Sequence, residues 1–155
     1  MPALNPPYLA ALYRTVNASP FPSHLPFRLV AMAENSSRVE LDIAPCHLQP
    51  FGIVHGGVIA TLIDTATFWA GFSTIAEDAG LVNVDIKLNY LATAQSGRLV
   101  ATGRTIRSGR TLCYTEATIT GDGDTLVAHG TSTLMVLPGK GIDFGVPKFL
   151  WGTSG

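Results

Sequence analysis

Charged residues are scarce in this sequence, and the basic ones form no run. Asp, Glu, Lys and Arg make up 14% of the 155 residues, hydrophobic residues make up 46%, and the net charge is −1. A chain without a basic patch lacks the main electrostatic attraction to nucleic acid, so we expect no nucleic-acid partner. So few charges also leave little polar cover for a small globule. Part of its apolar surface is therefore expected to be buried in a homo-oligomer.

Cysteine is also rare, and several motifs of known chemistry are missing. Cys46 and Cys113 match no metal or redox spacing, and we interpret them as reduced thiols of a cytoplasmic protein. No cluster of His, Asp and Cys has metal-ligand spacing, and no phosphate-binding P-loop occurs. No Gly-x-Ser-x-Gly sequence marks a serine nucleophile. The sequence thus gives no sign of a metal site or of a serine hydrolase triad.

One apolar segment, Ile53–Ala76, needs to be tested as a membrane span. No Lys or Arg occurs between Arg38 and Lys87. A transmembrane helix needs about 20 consecutive apolar residues. Asp64 lies in the middle of the segment, and a charge there costs roughly 2.5–3.5 kcal/mol on insertion scales. We therefore expect no membrane span, and the first 20 residues lack the basic and apolar regions of a signal peptide.

The first half of the chain predicts two helices and two strands. Asn5-Pro6-Pro7 is typical of a helix start, and strands are expected at Phe27–Ala33 and Arg38–Ala44, joined by a turn at Asn35-Ser36-Ser37. Gly56–Ala76 is predicted to be a helix that is apolar on nearly every face, as a buried helix is. Three prolines predict an extended lead-in between the first helix and the first strand: Pro20, Pro22 and Pro26.

The second half of the chain predicts strands only. Arg107-Ser108-Gly109-Arg110 is expected to be a hairpin turn, and a tail rich in Gly and Pro begins at Pro138. The whole pattern favours an α+β fold in which an antiparallel sheet of about six strands wraps around the buried helix. We expect one domain over residues 1–155, with an N-terminal helix and lead-in (1–24) and the tail (138–155). Four tail residues are expected to lie against the body: Phe144, Phe149, Leu150 and Trp151. The predicted strands are Val82–Tyr90, Leu99–Ile106, Thr111–Thr120 and Thr125–Leu137.

Gly56 and Gly57 open the predicted central helix. The first N–H groups of a helix have no partner inside it, and they carry the positive end of the helix dipole. Glycine lets a substrate carbonyl approach this backbone closely. Such a terminus can stabilise the oxyanion of an acyl-transfer intermediate, often by roughly 3–4 kcal/mol per donor. The alternative is that the two glycines only allow the helix to pack tightly against a strand.

Asp64 interrupts the apolar run of the same helix, and a buried carboxylate is costly unless it is paired. It is either a structural residue satisfied by hydroxyls such as those of Thr61 or Thr65, or a functional one. Gly56 and Asp64 are eight residues apart, which is roughly 12 Å along a helix. A carbonyl and the water that attacks it are only about 3 Å apart. The two residues can serve one bond only if a second, antiparallel helix from a two-fold related subunit brings them together.

The stretch from Phe51 to Asp64, FGIVHGGVIATLID, resembles the hallmark of the PaaI-like (phenylacetic-acid-type) thioesterases, which have the hotdog fold. The resemblance continues through Val84–Leu91 and Gly109–Leu112 and ends near Thr131–Val136. It implies a hydrolase that cleaves acyl-CoA thioesters without metal or other cofactor. By the same resemblance, the first glycine of the helix is the oxyanion donor and Asp64 is the carboxylate that activates water or attacks directly.

Two positions differ from the family pattern. Gln49 stands where family members usually carry Asn, three residues before Gly52, and is expected to hold the thioester or the water. Asn83 matches a position from which Ser or Thr often assists the carboxylate, and Asn can orient a water there. Both are candidate catalytic residues together with Asp64 and Gly56.

The remaining candidates are expected to bind substrate. His55 precedes the helix and is expected to orient the loop through a backbone hydrogen bond rather than to act as a base, and Gly57 follows in the same turn. Arg107 and Arg110 are either solvated turn charges or partners of the CoA phosphates.

Three functions remain open at this point. The first is hydrolysis of an acyl-CoA by a dimer or a dimer of dimers, and the second is an acyl-CoA-binding module without catalysis. The third is a dehydratase of hydroxyacyl thioesters, which would need a catalytic His, for which His55 is the only candidate. A buried Asp64 would cost free energy that a tunnel used only for binding has no need to spend. Four aromatic residues either suggest an apolar or aromatic-tolerant tunnel for the acyl group or belong to the core: Phe68, Trp69, Phe72 and Tyr90.

Overall fold

The computed structural model describes residues 3–151 of the chain. The helices are α1 (Pro6–Asn17), α2 (Pro20–His24) and α3 (Gly56–Phe72). The strands are β1 (Ala3–Leu4), β2 (Arg28–Ala33), β3 (Ser36–Asp42), β4 (Gly80–Tyr90), β5 (Arg98–Ser108), β6 (Leu112–Thr120), β7 (Leu126–Leu137) and β8 (Phe149–Leu150). Strands β2 to β7 form one antiparallel sheet in the order β2-β3-β5-β6-β7-β4.

The central helix α3 packs across one face of this sheet, against strands β3 to β7. Its inward side chains meet alternate residues of the strands, because successive side chains of a strand point to opposite faces. Leu62 and Ile63 of α3 are fully buried, as are Leu99 and Leu134 of the sheet. Each such side chain contributes roughly 1.5–3 kcal/mol through its burial. The predicted α+β arrangement of a six-stranded antiparallel sheet around one helix is confirmed.

Helix α3 differs from its prediction in length and in exposure. It begins at Gly56 as predicted but ends at Phe72 instead of Ala76, because side-chain hydroxyls take over the carbonyls of the last turn. Ser73 Oγ donates to Ala70 O at 2.7 Å, and Thr74 Oγ1 donates to Gly71 O at 2.8 Å. The prediction that nearly every face is buried is wrong for the single chain. One stripe is open to solvent or only half-buried: Gly57, Thr61, Asp64, Thr65 and Phe68.

The proline-rich lead-in is partly helical rather than extended. Pro20 occupies the first turn of α2, where its missing N–H is not needed and its fixed φ suits the helix. One side chain ties α1 to β2 through two hydrogen bonds: Asn17 Nδ2 donates to Leu29 O at 3.0 Å, and Leu29 N donates to Asn17 Oδ1 at 2.8 Å. The segment between α1 and β2 is therefore fixed at both ends.

Both predicted hairpin turns are shifted along the chain. The first turn is formed by Glu34 and Asn35, and β3 already begins at Ser36. Asn35 has φ of +62°, as tight two-residue hairpin turns require. Arg107 lies in β5 opposite Tyr114, after a β-bulge, and not in the second turn. The bulge adds a residue to the strand, so the turn begins only after Ser108.

The tail closes the C-terminal end of α3. Strand β8 pairs with β1 in the register Ala3 to Leu150 and Leu4 to Phe149. The Lys148 ammonium is fully buried, and its Nζ donates to Phe72 O at 2.6 Å and to Ile75 O at 3.1 Å. Phe144 packs edge-on against Tyr8 with 5.1 Å between ring centroids. Trp151 does not lie against the body as predicted, because 75% of it is exposed.

In the described residues, no helix is long and apolar enough to cross a membrane. The single domain over residues 1–155 and the cytoplasmic location stay predictions.

Candidate active site

The loop before α3 positions the first turn of that helix. Gly52 has φ of +76° and donates its N–H to Gln49 O at 2.9 Å, so glycine suits this tight turn. His55 N donates to His47 O at 2.8 Å, and His47 Nδ1 in turn accepts from Ala44 N at 3.0 Å. The loop is thus held by backbone and imidazole contacts.

His55 caps α3 through its side chain. Its Nδ1 accepts the Gly57 N–H at 2.8 Å, and the Val58 N–H reaches His55 O at 3.0 Å. An Nδ1 that accepts carries no proton, so the proton of the neutral ring is on Nε2. Within residues 3–151, the Gly56 N–H has no hydrogen-bond partner. Of the two predicted glycines, only Gly56 therefore offers a free N–H at the positive end of the helix dipole.

Asp64 is held by a neighbouring strand. The Nδ2 of Asn83 on β4 donates to Asp64 Oδ1 and lies 3.3 Å from Ser132 Oγ. The threonines considered as structural partners are engaged elsewhere: Thr61 Oγ1 donates to Gly57 O at 2.9 Å and Thr65 Oγ1 to Thr61 O at 2.7 Å. Asn83 thus contacts the carboxylate directly, and neither threonine satisfies it.

Two opposing effects act on the carboxylate of Asp64. Burial raises its pKa above the ordinary value, and the hydrogen bond from Asn83 acts in the opposite direction. Asp64 lies on the open stripe of α3, so its desolvation comes from the walls of a groove and not from enclosure in the core. A higher pKa makes the Asp64 carboxylate a stronger base, which suits it to take a proton from water.

The groove beside Asp64 has a volume of about 200 Å³. One wall belongs to α3 and the other to the segment from the end of α1 to the start of β2. Of the four aromatic residues predicted to form a tunnel, Phe68 and Trp69 line this groove, whereas Phe72 is buried in the core. Phe21 and Phe27 complete the aromatic lining.

A second pocket, of about 330 Å³, opens at the N-terminal end of α3. It is lined by Gln49, Gly56, Tyr90 and Thr93 together with several aliphatic side chains. Gln49 Oε1 accepts the Phe51 N–H, so the amide nitrogen of Gln49 remains a donor for a ligand. Tyr90 Oη donates to Gly56 O at 3.3 Å. Asp64 does not line this pocket, in agreement with the separation expected along the helix.

The predicted arginines lie in a different part of the chain. Arg110 lines a third cavity, of about 440 Å³, with Thr74 and Ser108 near the C-terminal end of α3. Neither Arg107 nor Arg110 lines the groove at Asp64 or the pocket at Gly56.

A further cavity, of about 580 Å³, lies between the tail and residues Glu77 and Asp78. It contains neither the start of α3 nor Asp64, so we do not assign the chemistry to it. Within residues 3–151, no group of three or more His, Cys, Asp and Glu side chains could hold a metal ion.

Two elements of the site were not predicted from the sequence. Val82–Tyr90 was expected to be a strand, but nothing showed that Tyr90 would contact Gly56 across 34 residues. The lead-in was assigned no role, although Phe21 in α2 borders the groove. Phe21 stands between two prolines and is 55% exposed in the folded chain. Nothing in this local sequence indicates a binding role without knowledge of the groove.

Comparison with known proteins identifies the family. The chain belongs to the thioesterase superfamily, whose model matches residues 51–128. The human protein acyl-coenzyme A thioesterase 13 is 31% identical over 107 residues, 68% of this chain and 76% of that protein. The 1,4-dihydroxy-2-naphthoyl-CoA hydrolase of Listeria monocytogenes is 29% identical over 108 residues, 70% of this chain and 88% of that protein.

Solved structures give the same result for the fold. A thioesterase from Haemophilus influenzae superposes with a TM-score of 0.80 at 27% identity, covering 89% of this chain and 96% of that one. A thioesterase family protein from Silicibacter pomeroyi gives a TM-score of 0.75 at 29% identity, covering 84% and 98%. The predicted hotdog fold and the resemblance to PaaI-like thioesterases are confirmed, and the family indicates a hydrolase.

Proposed function

We propose that this protein hydrolyses an acyl-CoA thioester at sites that are shared between two subunits. The observation that carries the proposal is that α3 presents two groups together. The Asp64 carboxylate lies on its open stripe and is held by Asn83, and the Gly56 N–H at its start is free. The names of the human and Listeria relatives support a CoA thioester as substrate. No cofactor is needed for this reaction.

The two groups have complementary tasks in the proposed reaction. Asp64 takes a proton from water, whose oxygen attacks the thioester carbon. The carbonyl oxygen becomes negative and accepts the Gly56 N–H, where the helix dipole adds stabilisation. The carbon–sulfur bond then breaks, the CoA sulfur takes up the proton that Asp64 removed from water, and the acid is released. Asn83 orients the carboxylate during these steps, and Gln49 presents its amide nitrogen to the thioester or to the water.

A homodimer would bring the two groups together. Strand β4 is an edge strand, and an exposed edge offers unpaired backbone groups to a second chain. Apolar side chains of β4 are exposed in the single chain: Val82 at 42%, Val84 at 59% and Ile86 at 38%. Pairing two β4 edges about a two-fold axis would place two α3 helices antiparallel, with Asp64 of each near Gly56 of the other. Assembly into a dimer of dimers stays a prediction.

The other candidate residues have supporting tasks. His55 fixes the first turn of α3 by accepting the Gly57 N–H. Gly57 therefore offers no free donor, and its role is to let the substrate come close to the helix backbone. We assign Arg110 to the CoA phosphates. In a dimer with antiparallel α3 helices, the cavity that Arg110 lines at the C-terminal end of one helix would lie on the same side as the N-terminal end of the partner helix. Arg107 would act as a neighbouring positive charge on β5.

The first test is Asp64→Asn, assayed by release of free CoA thiol from a panel of acyl-CoAs. We expect turnover to fall by about 10²–10⁴-fold, the usual contribution of a general base, with the oligomer intact in gel filtration. Asp124→Asn is the matched control, because Asp124 lies in an exposed turn with φ of +58°, which Asn tolerates. Wild-type turnover in Asp64→Asn would contradict the assignment. Binding of acyl-CoA without turnover in the wild type would instead indicate a non-catalytic binding module.

The second test concerns the sharing of sites. Subunits with Asp64→Asn are co-expressed with subunits carrying Gly56→Ala, and mixed dimers are isolated through two different tags. Each mixed dimer contains one site with both residues intact, so it should recover about half of the wild-type activity if two equivalent sites follow from the two-fold axis. Activity no higher than that of either parent would show that both residues act within one chain.

A further inference from the structure

The groove at Asp64 is built partly by a segment outside the family match. That match covers residues 51–128, whereas Phe21 belongs to α2 and Phe27 immediately precedes β2. On the proposed function, which this inference presupposes, we propose that Phe21 sets the length of the acyl group that the enzyme accepts. Phe21 would thus be a specificity-determining residue for short and medium acyl chains.

Phe21 is held firmly although more than half of it is exposed. Its ring packs edge-to-face against buried Phe27, with 5.9 Å between centroids and 62° between planes. The next residue, Pro22, is buried, and Ser23 Oγ donates to Pro20 O at 2.5 Å within the same turn. A ring fixed in this way acts as a solid wall rather than as a mobile cover.

The chemistry of the groove favours the acyl group over the pantetheine arm. The groove wall opposite Phe21 consists of Phe68 and Trp69 of α3, which stack edge-on at 4.9 Å. Aromatic walls suit a hydrocarbon chain. The two amides of a pantetheine arm require hydrogen-bond partners, and the pocket at Gly56 supplies them through Gln49 and Thr93.

The size of the groove limits the chain that it can hold. Its volume is about 200 Å³, against about 330 Å³ for the pocket at Gly56. The groove is thus the smaller of the two spaces, and aromatic rings bound it on both sides. A long acyl chain would meet the ring of Phe21.

The test is the chain-length profile of kcat/KM over straight-chain acyl-CoAs from butyryl to myristoyl. The variants are Phe21→Ala, Phe21→Trp and the control Trp151→Ala, which removes an exposed aromatic ring outside the groove. Phe21→Ala should raise the ratio of lauroyl to hexanoyl turnover by about tenfold or more, since one methylene in an apolar pocket changes selectivity by roughly 10–200-fold. Phe21→Trp should shift the optimum toward shorter chains, and Trp151→Ala should keep the wild-type profile.

The outcomes separate the two proposals. A wild-type enzyme that hydrolyses acyl-CoAs, with the same profile in Phe21→Ala and Phe21→Trp, would overturn the role of Phe21 and leave the proposed function standing. A wild type that hydrolyses none of the acyl-CoAs would remove both. Should Phe21→Ala fail to fold, the direction of the shift in Phe21→Trp decides the question alone.

Discussion

The two ends of helix α3 are treated very differently by the rest of the chain. At the N-terminal end, Gly56 keeps a free N–H beside an open pocket. At the C-terminal end, Ser73, Thr74 and Lys148 all donate to backbone carbonyls. Gly71 there lies so close to Leu134 that an added Cβ would be 2.7 Å from its Cδ1.

This difference separates the stability of the fold from its chemistry. Unpaired helix ends cost free energy when they are buried, so the closed end contributes to folding. The open end retains a polar group that only a ligand can satisfy, which is the property that an oxyanion site needs. Changes at the two ends should therefore affect different measurements.

The largest effect is expected from the buried cation at the closed end. Burial lowers the pKa of Lys148 from 10.5 to about 8, and nearby Glu77 acts in the opposite direction. The unfolded chain then binds more protons than the folded chain between these two values, so the free energy of unfolding rises as the pH increases through this window. The full rise is on the order of 3 kcal/mol, because one pKa unit corresponds to about 1.4 kcal/mol.

Urea denaturation at a series of pH values from 7 to 11 would measure this rise. The Lys148→Met variant provides the reference, because it cannot titrate and should lack the rise in that window. An equal pH dependence in both proteins would show that Lys148 does not titrate with folding.

The two glycines provide the most direct comparison of the two ends. Gly56→Ala places a methyl 3.0 Å from Tyr90 Oη, and Tyr90 is 60% exposed and can move. We expect stability to change by less than about 1 kcal/mol, since Ala is a better helix former than Gly. The methyl narrows the pocket at the oxyanion site, so kcat/KM should fall by about 10²-fold, as for other small displacements of reacting groups.

Gly71→Ala should show the reverse pattern. Overpacking a core typically costs about 1–3 kcal/mol, and the added methyl would meet Leu134, Leu81 and Thr115. Activity per folded molecule should stay close to that of the wild type. Thermal unfolding and thiol release on the same samples distinguish the two patterns. Equal losses of activity in both variants would contradict the separation of stability from chemistry.

The sequence predicted the sheet well because its signal is local. Alternation within Val82–Tyr90 follows directly from the two faces of a strand, and the start of α3 follows from glycines after His55. The contact of Asn83 with Asp64 joins residues 19 positions apart and depends on how β4 packs against α3. No pattern within either element contains that information.

The errors have physical reasons as well. The prolines before β2 were predicted to form an extended lead-in, but a proline in the first turn of a helix loses no hydrogen bond, and Pro20 begins α2. The open stripe of α3 was counted as buried because Thr and Gly are compatible with both environments. Its polar members, Thr61, Asp64 and Thr65, recur at helical spacing and could have indicated an exposed face.

The short sheet of β1 and β8 holds the two ends of the described chain next to each other. Ala3 and Leu150 are register partners, so a short linker could join the two ends of the described chain into a ring without moving either strand. Closing so long a loop would remove much of the conformational freedom of the denatured ensemble, by about 4–5 kcal/mol in the chain-entropy model. The fold could thus be made more resistant to denaturation from its ends, with helix α3 and its groove unchanged.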